Sequence, residues 1–500
     1  MKPHILFLQN KGYEVTTVTN GRDALDAISQ QNFHLIILDE NMPGISGLEA
    51  LQQIKIAQPN VPVIMITKSE EENIMNQAIG SEIADYLIKP VNPMQILLSI
   101  KKNLHSEALV AQKATSDYQQ EFMSISQQIA MARTIDDWYQ LYNTLVRWEL
   151  TLSNAETSMA DMLRMQKQEA NSAFAKMVKR NYEKWVTTDD HPLMSNEIFK
   201  TQIFPHIDAG EKVCFIVIDN FRLDQWRTIS PLLNDYFNIE KEELYTTILP
   251  TATQYARNAI FSGLMPIDIE RMFPELWVDE EEDEGKNLNE APLIQTILDR
   301  YRRKCKFSYN KLNDSAAGER LVQHFAQLKN FDLNVIVFNF VDILSHARTE
   351  SKMIRELAYT DEAYRSLTVT WFKNSYVLEI FKRIAEQGWK IVLTTDHGTT
   401  RVDNAIKVIG DKNTNTNLRY KVGKNLSYNP RQVYEIKQPK RFGLPLLNVS
   451  STYIFASGRD FFAYPNNYNH YVQYYNNTFQ HGGISMEEML VPLITLTPKK

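Results

Sequence analysis

Apolar runs closed by polar residues recur in the first hundred residues of the chain. Residues 34–39 and 61–66 each have the continuous hydrophobic character of a buried parallel strand, and residues 85–88 repeat the pattern. Helical patterns separate these runs, with a first helix predicted at residues 5–11 and a further strand near residues 13–17. This alternation predicts a flavodoxin-like α/β domain over residues 1–103.

The three apolar runs end in a carboxylate, a hydroxyl and an ammonium group, at Asp39, Thr67 and Lys89. Because the carboxyl ends of parallel strands meet at one crevice, these groups can come together although they are distant in sequence. Groups that merely capped helices would not be expected to recur in this order. With the Met-Pro-Gly turn after Asp39 and the Lys-Pro pair at Lys89, the segment resembles the receiver domain of two-component response regulators.

The receiver resemblance implies that Asp39 accepts a phosphoryl group from a sensor histidine kinase, with Thr67, Tyr86 and Lys89 as switch residues and a cis peptide before Pro90. It also implies a Mg²⁺ ion held by an acidic pair at the end of the first strand. That strand and its acids are missing, since Met1 leads directly into a helical pattern. We therefore expect the native start to lie upstream, and Mg²⁺ binding and phosphorylation to need the missing acids.

Residues 104–200 contain few glycines or prolines, and their apolar residues recur at spacings of three and four. This pattern predicts amphipathic helices packed into a bundle that links two domains. Such a segment is suited to transmit a conformational change from the receiver to the C-terminal domain. It is equally suited to form a dimer interface. A DNA-binding output is not favoured, because the segment lacks a helix-turn-helix signature and a basic recognition helix.

Strand-like and helix-like patterns alternate again in residues 201–500. Strands are predicted at residues 213–218, 333–338 and 390–394, and helices at residues 353–367 and 375–386. This order is typical of a parallel sheet covered by helices, so the chain as a whole is of the α/β class.

Metal-type ligands follow the predicted strands of this second sheet. Asp342 and His346 are four residues apart, so both point the same way from a helix and can bind one ion. Asp396 and His397 are adjacent, which predicts opposite directions and ligation of two neighbouring ions. Thr253 places a hydroxyl at a predicted helix start, where phosphate groups also bind.

The peptides around these residues, with the His-Gly-Gly-Ile-Ser-Met-Glu-Glu segment from His481, resemble the PglZ branch of the alkaline phosphatase superfamily. The resemblance implies an alkaline-phosphatase-like domain with two Zn²⁺ ions and a threonine nucleophile. By residue, it implies one zinc on Asp342, His346 and His481, a second zinc on Asp219, Asp396 and His397, and Thr253 as the nucleophile on the second zinc. Thr251 is the rival nucleophile, and Asn220, Arg257 and Asn258 are candidate substrate contacts.

A receiver, a helical segment and a PglZ domain in this order are similar to the PorX-type regulators of type IX secretion. The resemblance implies a response regulator whose output is a zinc phosphodiesterase acting on nucleotide or oligonucleotide phosphodiesters. It further implies a homodimer on phosphorylation and a sigma factor or secretion component as partner. The alternative is a protein-interaction regulator that turns over nothing and keeps a structural metal site.

Composition changes this picture little. Two cysteines and no apolar stretch near the roughly twenty residues of a membrane span predict a cytoplasmic protein. The net charge of -6 gives no reason to expect general nucleic-acid binding. Residues 401–441 carry ten Lys or Arg against three acids, interleaved with Tyr420, Tyr428 and Tyr434, so a polyanion surface and a solvated loop both remain open. The acidic run 279–284 is predicted to be a mobile loop.

Overall fold

The computed structural model describes residues 2–68, 72–153, 157–278, 287–411, 414–448 and 450–499. The chain divides into two compact units, one that ends at Asp117 and one that begins at Tyr118. The acidic run 279–284 lies outside the described residues. Among the helices described, none has the length and apolarity that a bilayer crossing needs.

The first unit is built on a small parallel sheet. Its elements are α1 (Lys2–Asn10), α2 (Gly21–Gln30), β1 (Ile36–Asp39), α3 (Gly47–Ala57), β2 (Val63–Thr67), α4 (Glu72–Gly80), β3 (Asp85–Ile88) and α5 (Pro93–Leu104). The strands are parallel, as the sequence predicts, and lie in the order β1-β2-β3. Helix α3 begins at a capping box formed by Ser46 and Glu49, which pairs two backbone N–H groups.

Side chains of β2 alternate between two separate cores. Val63 and Met65 pack in a cluster with residues of α2 and α3, while Ile64 packs with α1 and α5. This alternation is the period of two that a strand imposes, and burial of both faces accounts for the continuous apolar run.

The strand predicted near residues 13–17 is not formed, although the helix predicted before it is present as α1. An extended segment becomes a strand only when a neighbouring strand accepts and donates its backbone hydrogen bonds. In the three-stranded sheet β1 is an edge strand, and among the described residues the 13–17 segment forms no backbone ladder with it or with another strand.

Three long helices follow the first sheet: α6 (Ser106–Met131), α7 (Ile135–Thr151) and α8 (Thr157–Thr187). The predicted apolar spacing is realised in α7, which buries Leu141, Leu145 and Trp148 on one face. The sequence treats these helices as a separate linker, whereas α7 and α8 belong to the same compact unit as the C-terminal domain. Ion pairs that join Glu149 to Arg365 and Lys167 to Glu487 explain why they pack together.

The second unit continues through alternating helices and strands. The first half comprises α9 (Phe204–Asp208), β4 (Val213–Ile218), α10 (Leu223–Ile229), β5 (Phe237–Thr246), α11 (Thr253–Ser262), α12 (Pro266–Met272), α13 (Glu290–Arg300), β6 (Phe307–Leu312), α14 (Ser315–Gln323) and β7 (Leu333–Phe338). The second half comprises α15 (Phe340–Glu350), α16 (Lys352–Leu357), α17 (Asp361–Asn374), α18 (Tyr376–Glu386), β8 (Lys390–Thr394), β9 (Thr400–Arg401), β10 (Asn404–Lys407), β11 (Tyr420–Gly423), β12 (Tyr434–Ile436), β13 (Thr452–Phe455), β14 (Asp460–Ala463), α19 (Tyr468–Tyr475), β15 (Phe479–Gln480), α20 (Met486–Met489) and β16 (Leu490–Pro498).

The main sheet has six strands in the order β5-β16-β8-β4-β7-β6. The predicted strands β4, β7 and β8 are parallel, as expected, and β6, which the sequence did not predict, is parallel to them, but β16 runs antiparallel between β8 and β5. The sheet is therefore mixed rather than purely parallel. Strands β4 and β7 are adjacent and buried at every position, and both lead into loops at the same edge of the sheet.

The helix predicted at residues 353–367 is two helices, α16 and α17. Thr360 interrupts the pattern because its side chain caps the N-terminus of α17 by accepting a hydrogen bond from the amide of Ala363. Small sheets formed by β10 with β14, by β11, β13 and β12, and by β15 with β9 complete the unit.

Candidate functional site

Two groups of metal-type ligands lie at the carboxyl edge of the main sheet. The outer cluster is Asp342, His346 and His481, and the inner cluster is Asp219, Asp396 and His397. Within each cluster the ligand atoms lie within 4.8 Å of one another. The structure thus brings together six side chains that are spread from residue 219 to residue 481.

The outer cluster is assembled from α15 and the loop after β15. Nε2 of His346 lies 3.5 Å from Oδ1 of Asp342, since the two residues are one turn apart in α15. Nε2 of His481 approaches the same oxygen at 3.8 Å. The His346 side chain is 58% exposed, so this cluster opens toward solvent.

The inner cluster is fully buried at the ends of the adjacent strands β4 and β8. Nε2 of His397 lies 3.8 Å from Oδ1 of Asp219 and 3.9 Å from Oδ2 of Asp396. The prediction that Asp396 and His397 point in opposite directions is therefore wrong. The Asp396 carboxylate folds back to accept a hydrogen bond from the amide of His397, which turns both side chains to the same ion position.

Asn220 connects the two clusters. Its backbone has a φ of 61°, a left-handed conformation that asparagine tolerates better than most residues. From this position the backbone N–H of Asn220 donates to Oδ1 of Asp396. Its side-chain Nδ2 donates to Oδ1 of Asp342 and to Oγ of Ser345. The His397 and His481 rings also stack with centroids 4.2 Å apart, so the clusters form one site. The proposed substrate contact of Asn220 thus competes with hydrogen bonds that Nδ2 makes inside the protein.

Thr253 is the first residue of α11 and faces the inner cluster. Its Oγ1 lies 3.1 Å from Nε2 of His397 and 3.4 Å from Oδ1 of Asp219. The hydroxyl of Thr251 is instead occupied by the His481 loop, where it donates to the carbonyl of Gly483 and accepts from the amide of Gly482. Of the two rival threonines, the geometry therefore favours Thr253 as the nucleophile.

Both buried imidazoles are held in the form that binds metal ions. Nδ1 of His397 donates to the carbonyl of Gly398, and Nδ1 of His481 donates to the carbonyl of Thr251, each over 3.1 Å. These bonds place the proton on Nδ1 and leave the Nε2 lone pair directed at the clusters. Burial lowers the pKa of each histidine to about 4, so both rings are neutral near pH 7.

The carboxylates carry negative charge that the described side chains only partly compensate. Burial and the neighbouring charge of Asp219 raise the pKa of Asp396 well above its usual range, and burial also raises the pKa of Asp342. Burial acts in the same direction on Asp219, but the Arg257 guanidinium keeps the pKa of Asp219 low. No donor among the described residues hydrogen-bonds Oδ2 of Asp396. Buried carboxylates beside neutral imidazoles are a donor set that fits Zn²⁺.

Arg257 and Asn258, proposed as substrate contacts, both lie in the buried part of α11. The Arg257 side chain is 1% exposed, and its guanidinium bonds Asp219 and Glu290. A substrate oxygen cannot reach it without breaking these ion pairs, so we assign Arg257 no contact with substrate. Asn258 is 2% exposed and equally remote from solvent.

The receiver residues also converge at one edge of their sheet. Lys89 forms an ion pair with Asp39, and Thr67 is buried at the end of the neighbouring strand β2. Tyr86 is partly buried against the core on one face of the sheet. The Lys89–Pro90 peptide is cis, as the receiver resemblance implies.

Within the basic and aromatic stretch at residues 401–441, the part around β11 is buried and forms neither a solvated loop nor an open polyanion surface. Arg419 and Lys421 are at most 1% exposed, and Arg419 pairs with the buried Glu488. Tyr420 is 4% exposed and stacks on Phe455. The stretch forms part of a small antiparallel sheet, which takes these side chains away from any oligonucleotide. Tyr428 donates its hydroxyl to Glu435, and Tyr434 packs against the same sheet.

Sequence reasoning missed the charged residues that support the site. Glu487 and Glu488 belong to the His481 motif, yet their partners Lys167 and Arg419 are distant in sequence. Glu290 pairs with Arg257 in the same way. A pair of adjacent glutamates before a buried strand was the available signal, because acids rarely enter a core without a cation.

Family models match three consecutive parts of the chain. The BREX system PglZ alkaline phosphatase-like domain matches residues 198–496, which is more than half of the chain. The chain belongs to the PglZ family. The PorX response regulator linker domain matches residues 108–186, and the response regulator receiver domain matches residues 4–101. This PglZ protein therefore has the PorX-like order of receiver, linker and PglZ domain, and its receiver implies a phosphodonor such as a sensor kinase.

Curated relatives match the receiver end of this PglZ protein. The alkaline phosphatase synthesis transcriptional regulatory protein PhoP of Bacillus subtilis is 27% identical over 146 residues, 29% of this chain and 59% of PhoP. The uncharacterized transcriptional regulatory protein YkoG of the same organism is 35% identical over 101 residues, 20% of this chain and 43% of YkoG. The chain thus spans about half the length of these relatives.

Solved receiver structures show the same local similarity. A CheY-like receiver domain protein from Methanospirillum hungatei is 27% identical, with 21% of this chain and 84% of that chain covered at a TM-score of 0.21. The chemotaxis protein CheY4 of Vibrio cholerae is 28% identical, with 21% and 88% covered at a TM-score of 0.20.

Proposed function

We propose that this protein is a response regulator whose PglZ domain is a zinc-dependent phosphodiesterase with Thr253 as the nucleophile. The observation that carries the proposal is the position of the Thr253 hydroxyl, 3.1 Å from Nε2 of His397 and 3.4 Å from Asp219 at the start of α11. A hydroxyl at a helix N-terminus beside two clusters of nitrogen and oxygen ligands is suited to phosphoryl transfer.

Zinc would be held by Asp342, His346 and His481 in the outer cluster and by Asp219, Asp396 and His397 in the inner cluster. When bound, zinc lowers the pKa of a ligated hydroxyl or water and neutralises charge on a leaving oxygen. The chain's own contribution is to fix the ligands, through the hydrogen bonds of Asn220 and the two Nδ1 contacts, before substrate arrives.

The reaction proceeds in two displacements at phosphorus. Oγ1 of Thr253 gives its proton to solvent and forms a bond to phosphorus, while the bond to the leaving oxygen breaks and that oxygen takes the electron pair and a proton from solvent. Water then adds to the phosphothreonine ester, the bond from phosphorus to Oγ1 breaks with its electron pair on Oγ1, and a proton of that water passes to Oγ1. The first turn of α11 directs backbone N–H groups at the nonbridging oxygens and favours their negative charge.

The family resemblance supports nucleotide or oligonucleotide phosphodiesters as substrates and a role in type IX secretion. We infer that a sensor histidine kinase phosphorylates Asp39, that two copies then associate, and that a sigma factor or secretion component receives the signal. Tyr420 and Lys421 of β11 are buried and give no support for base stacking there, so the substrate class rests on the family resemblance.

The test compares two substitutions of the nucleophile in zinc-loaded full-length protein. Thr253→Val removes the hydroxyl at nearly constant volume, whereas Thr253→Ser keeps it. We expect hydrolysis of bis(4-nitrophenyl) phosphate to fall by roughly three orders of magnitude in Thr253→Val and by far less in Thr253→Ser. Mass spectrometry of quenched reactions should find a 4-nitrophenyl phosphoryl group on residue 253 in the Ser variant.

Zinc content separates loss of the nucleophile from loss of the metal site. Both variants should retain the wild-type stoichiometry, because the six ligands outside Thr253 are unchanged. Equal hydrolysis rates in the wild type and Thr253→Val would refute the enzyme and leave the protein-interaction regulator with a structural metal site.

A further inference from the structure

A buried arginine lies against the inner cluster. Arg257 is one helical turn after Thr253 in α11, and its side chain is 1% exposed. Nη1 donates to Oδ2 of Asp219 over 2.7 Å and lies 3.7 Å from Oδ2 of Asp396. A permanent cation thus sits within the ligand set that we propose for the second zinc.

Glu290 holds this arginine in place from the other side. Oε1 of Glu290 accepts a hydrogen bond from Nε of Arg257 over 2.5 Å, and the Glu290 side chain is also 1% exposed. Its second oxygen accepts from the hydroxyl of Tyr309 and pairs with Nζ of Lys311 at 3.0 Å. Because both glutamate oxygens are engaged, the guanidinium has one fixed orientation.

The fixed guanidinium gives the two carboxylate oxygens of Asp219 different partners. Oδ2 is taken by Arg257, while Oδ1 faces Thr253 and His397 at 3.4 and 3.8 Å. Asp219 can therefore offer an ion one oxygen and cannot chelate it with both. Oγ1 of Thr253 lies on the Oδ1 side of Asp219, so the hydroxyl and that oxygen would face the same ion.

The guanidinium also equalises the charge of the two clusters. The inner cluster has two carboxylates and the outer cluster has one. With Arg257 counted, each carries about one net negative charge. At separations near 4 Å one unit charge changes the interaction with a divalent ion by several kcal/mol even at an effective dielectric of about 20.

We propose that Arg257, fixed by Glu290, is a positioning residue that limits Asp219 to one zinc-facing oxygen and weakens zinc binding at the inner cluster in favour of the Thr253 hydroxyl. This proposal rests on the zinc phosphodiesterase proposed above. The proposal predicts that loss of the arginine raises zinc affinity and lowers kcat. If Arg257 had only a structural role, its loss would lower both zinc affinity and kcat.

The principal variant is Arg257→Met combined with Glu290→Gln in the full-length protein. Removal of both charges avoids leaving the buried Glu290 carboxylate without its guanidinium, and on the Glu290 side the charge that loses its partner is then the more exposed ammonium of Lys311. Zinc affinity is measured by competition with a chromophoric chelator, and hydrolysis with bis(4-nitrophenyl) phosphate. We expect the inner-cluster dissociation constant to fall at least tenfold, kcat to fall at least about a hundredfold, and KM to change less than threefold.

A second variant and a matched control cover the case in which the double variant does not fold. Arg257→Lys keeps the cation but not the planar fork that bridges Asp219 and Glu290, so kcat should fall with zinc affinity within threefold of the wild type. Arg365→Lys alters another buried arginine with two acidic partners, Glu149 and Asp224, and should change neither quantity.

The outcomes distinguish this proposal from the one on which it rests. Absence of zinc, or of Thr253-dependent hydrolysis, in the wild type removes both. If the wild type behaves as proposed but the double variant binds zinc equally or more weakly, the role of Arg257 is refuted alone. That role is also refuted if Arg257→Lys retains full kcat, or if Arg365→Lys reproduces the effects of the Arg257 variants.

Discussion

Thr251 lies two residues before the proposed nucleophile and holds the loop that carries His481. Its hydroxyl bonds the carbonyl of Gly483 and the amide of Gly482, each over 2.9 Å, and its carbonyl accepts from Nδ1 of His481. The residue is fully buried, so water cannot replace these partners. Its function is therefore to orient a ligand of the outer cluster rather than to attack phosphorus.

Thr251→Val should lower the free energy of unfolding by about 2–4 kcal/mol, because it leaves two buried backbone groups without partners at about 1–3 kcal/mol each. Zinc binding at the outer cluster should weaken as the His481 loop loosens. Chemical denaturation and chelator competition measure the two effects. The control, Thr228→Val, removes a hydroxyl that bonds the carbonyl of Asp224 within its own helix and should cost under about 1 kcal/mol. An equal loss in both variants would contradict this account.

Ligand types were predictable from sequence because aspartate and histidine at strand ends have few roles in a core. Pairings such as Arg257 with Glu290 and Arg419 with Glu488 were not, since the partners are 33 and 69 residues apart and no periodicity links them. The direction of Asp396 depended on a single hydrogen bond to the next amide, which a pattern of residue types does not contain.

At the scale of elements, the main-sheet strands found from sequence, β4, β7 and β8, are those buried on both faces. Val213–Ile218 matches its predicted bounds because its apolar run is continuous. Strand β5 escaped prediction since four consecutive charged residues, 240–243, interrupt the apolar residues of Phe237–Thr246 and its middle is exposed. Strand β16 contains Pro492, which usually argues against a central strand, although it pairs with strands on both sides.

Helix α8 is joined to the rest of its unit through Lys167. The ammonium lies 2.6 Å from Glu149 of α7 and 3.1 Å from Glu487 of α20, and its side chain is 19% exposed. Burial favours the neutral amine, but these two carboxylates raise the pKa of Lys167 above its usual range. One side chain thus connects two helices to the motif that begins at His481.

Lys167→Met should lower the free energy of unfolding by about 3 kcal/mol, because it removes the cation from the largely buried Glu487, whereas Glu149 keeps its ion pair with Arg365. Urea titration monitored by tryptophan fluorescence measures the change. Lys241→Met is the matched control, since Lys241 pairs with Glu243 on the surface and such a pair contributes about 1 kcal/mol or less. A loss of less than about 1 kcal/mol in Lys167→Met would show that the network does not stabilise α8.

For the whole molecule, sequence predicted the order of receiver, helices and PglZ domain because each has its own period of apolar residues and its own motifs. The grouping of α7 and α8 with the PglZ domain was not predictable, since it depends on partners such as Glu149 and Arg365, which are 216 residues apart. The consequence is that the site and the helices beside it form one compact unit, while the receiver sheet belongs to another.

Because the candidate site lies wholly in the second unit, metal binding can be measured as a change in the thermal stability of that unit. Asp219, Asp342 and Asp396 share one site with a single nearby guanidinium among the described residues, so proposed zinc binding relieves their mutual repulsion in the second unit. An ion at a hundred times its dissociation constant stabilises the folded state by about 2.7 kcal/mol. Calorimetry of zinc-loaded protein should show two transitions, and a chelator should lower the Tm of the larger unit and leave the receiver transition unchanged. Added zinc should restore the shift in the wild type but not in Asp342→Asn combined with Asp396→Asn. A chelator effect of equal size on both transitions, or a full recovery in that double variant, would place the stabilising ion elsewhere.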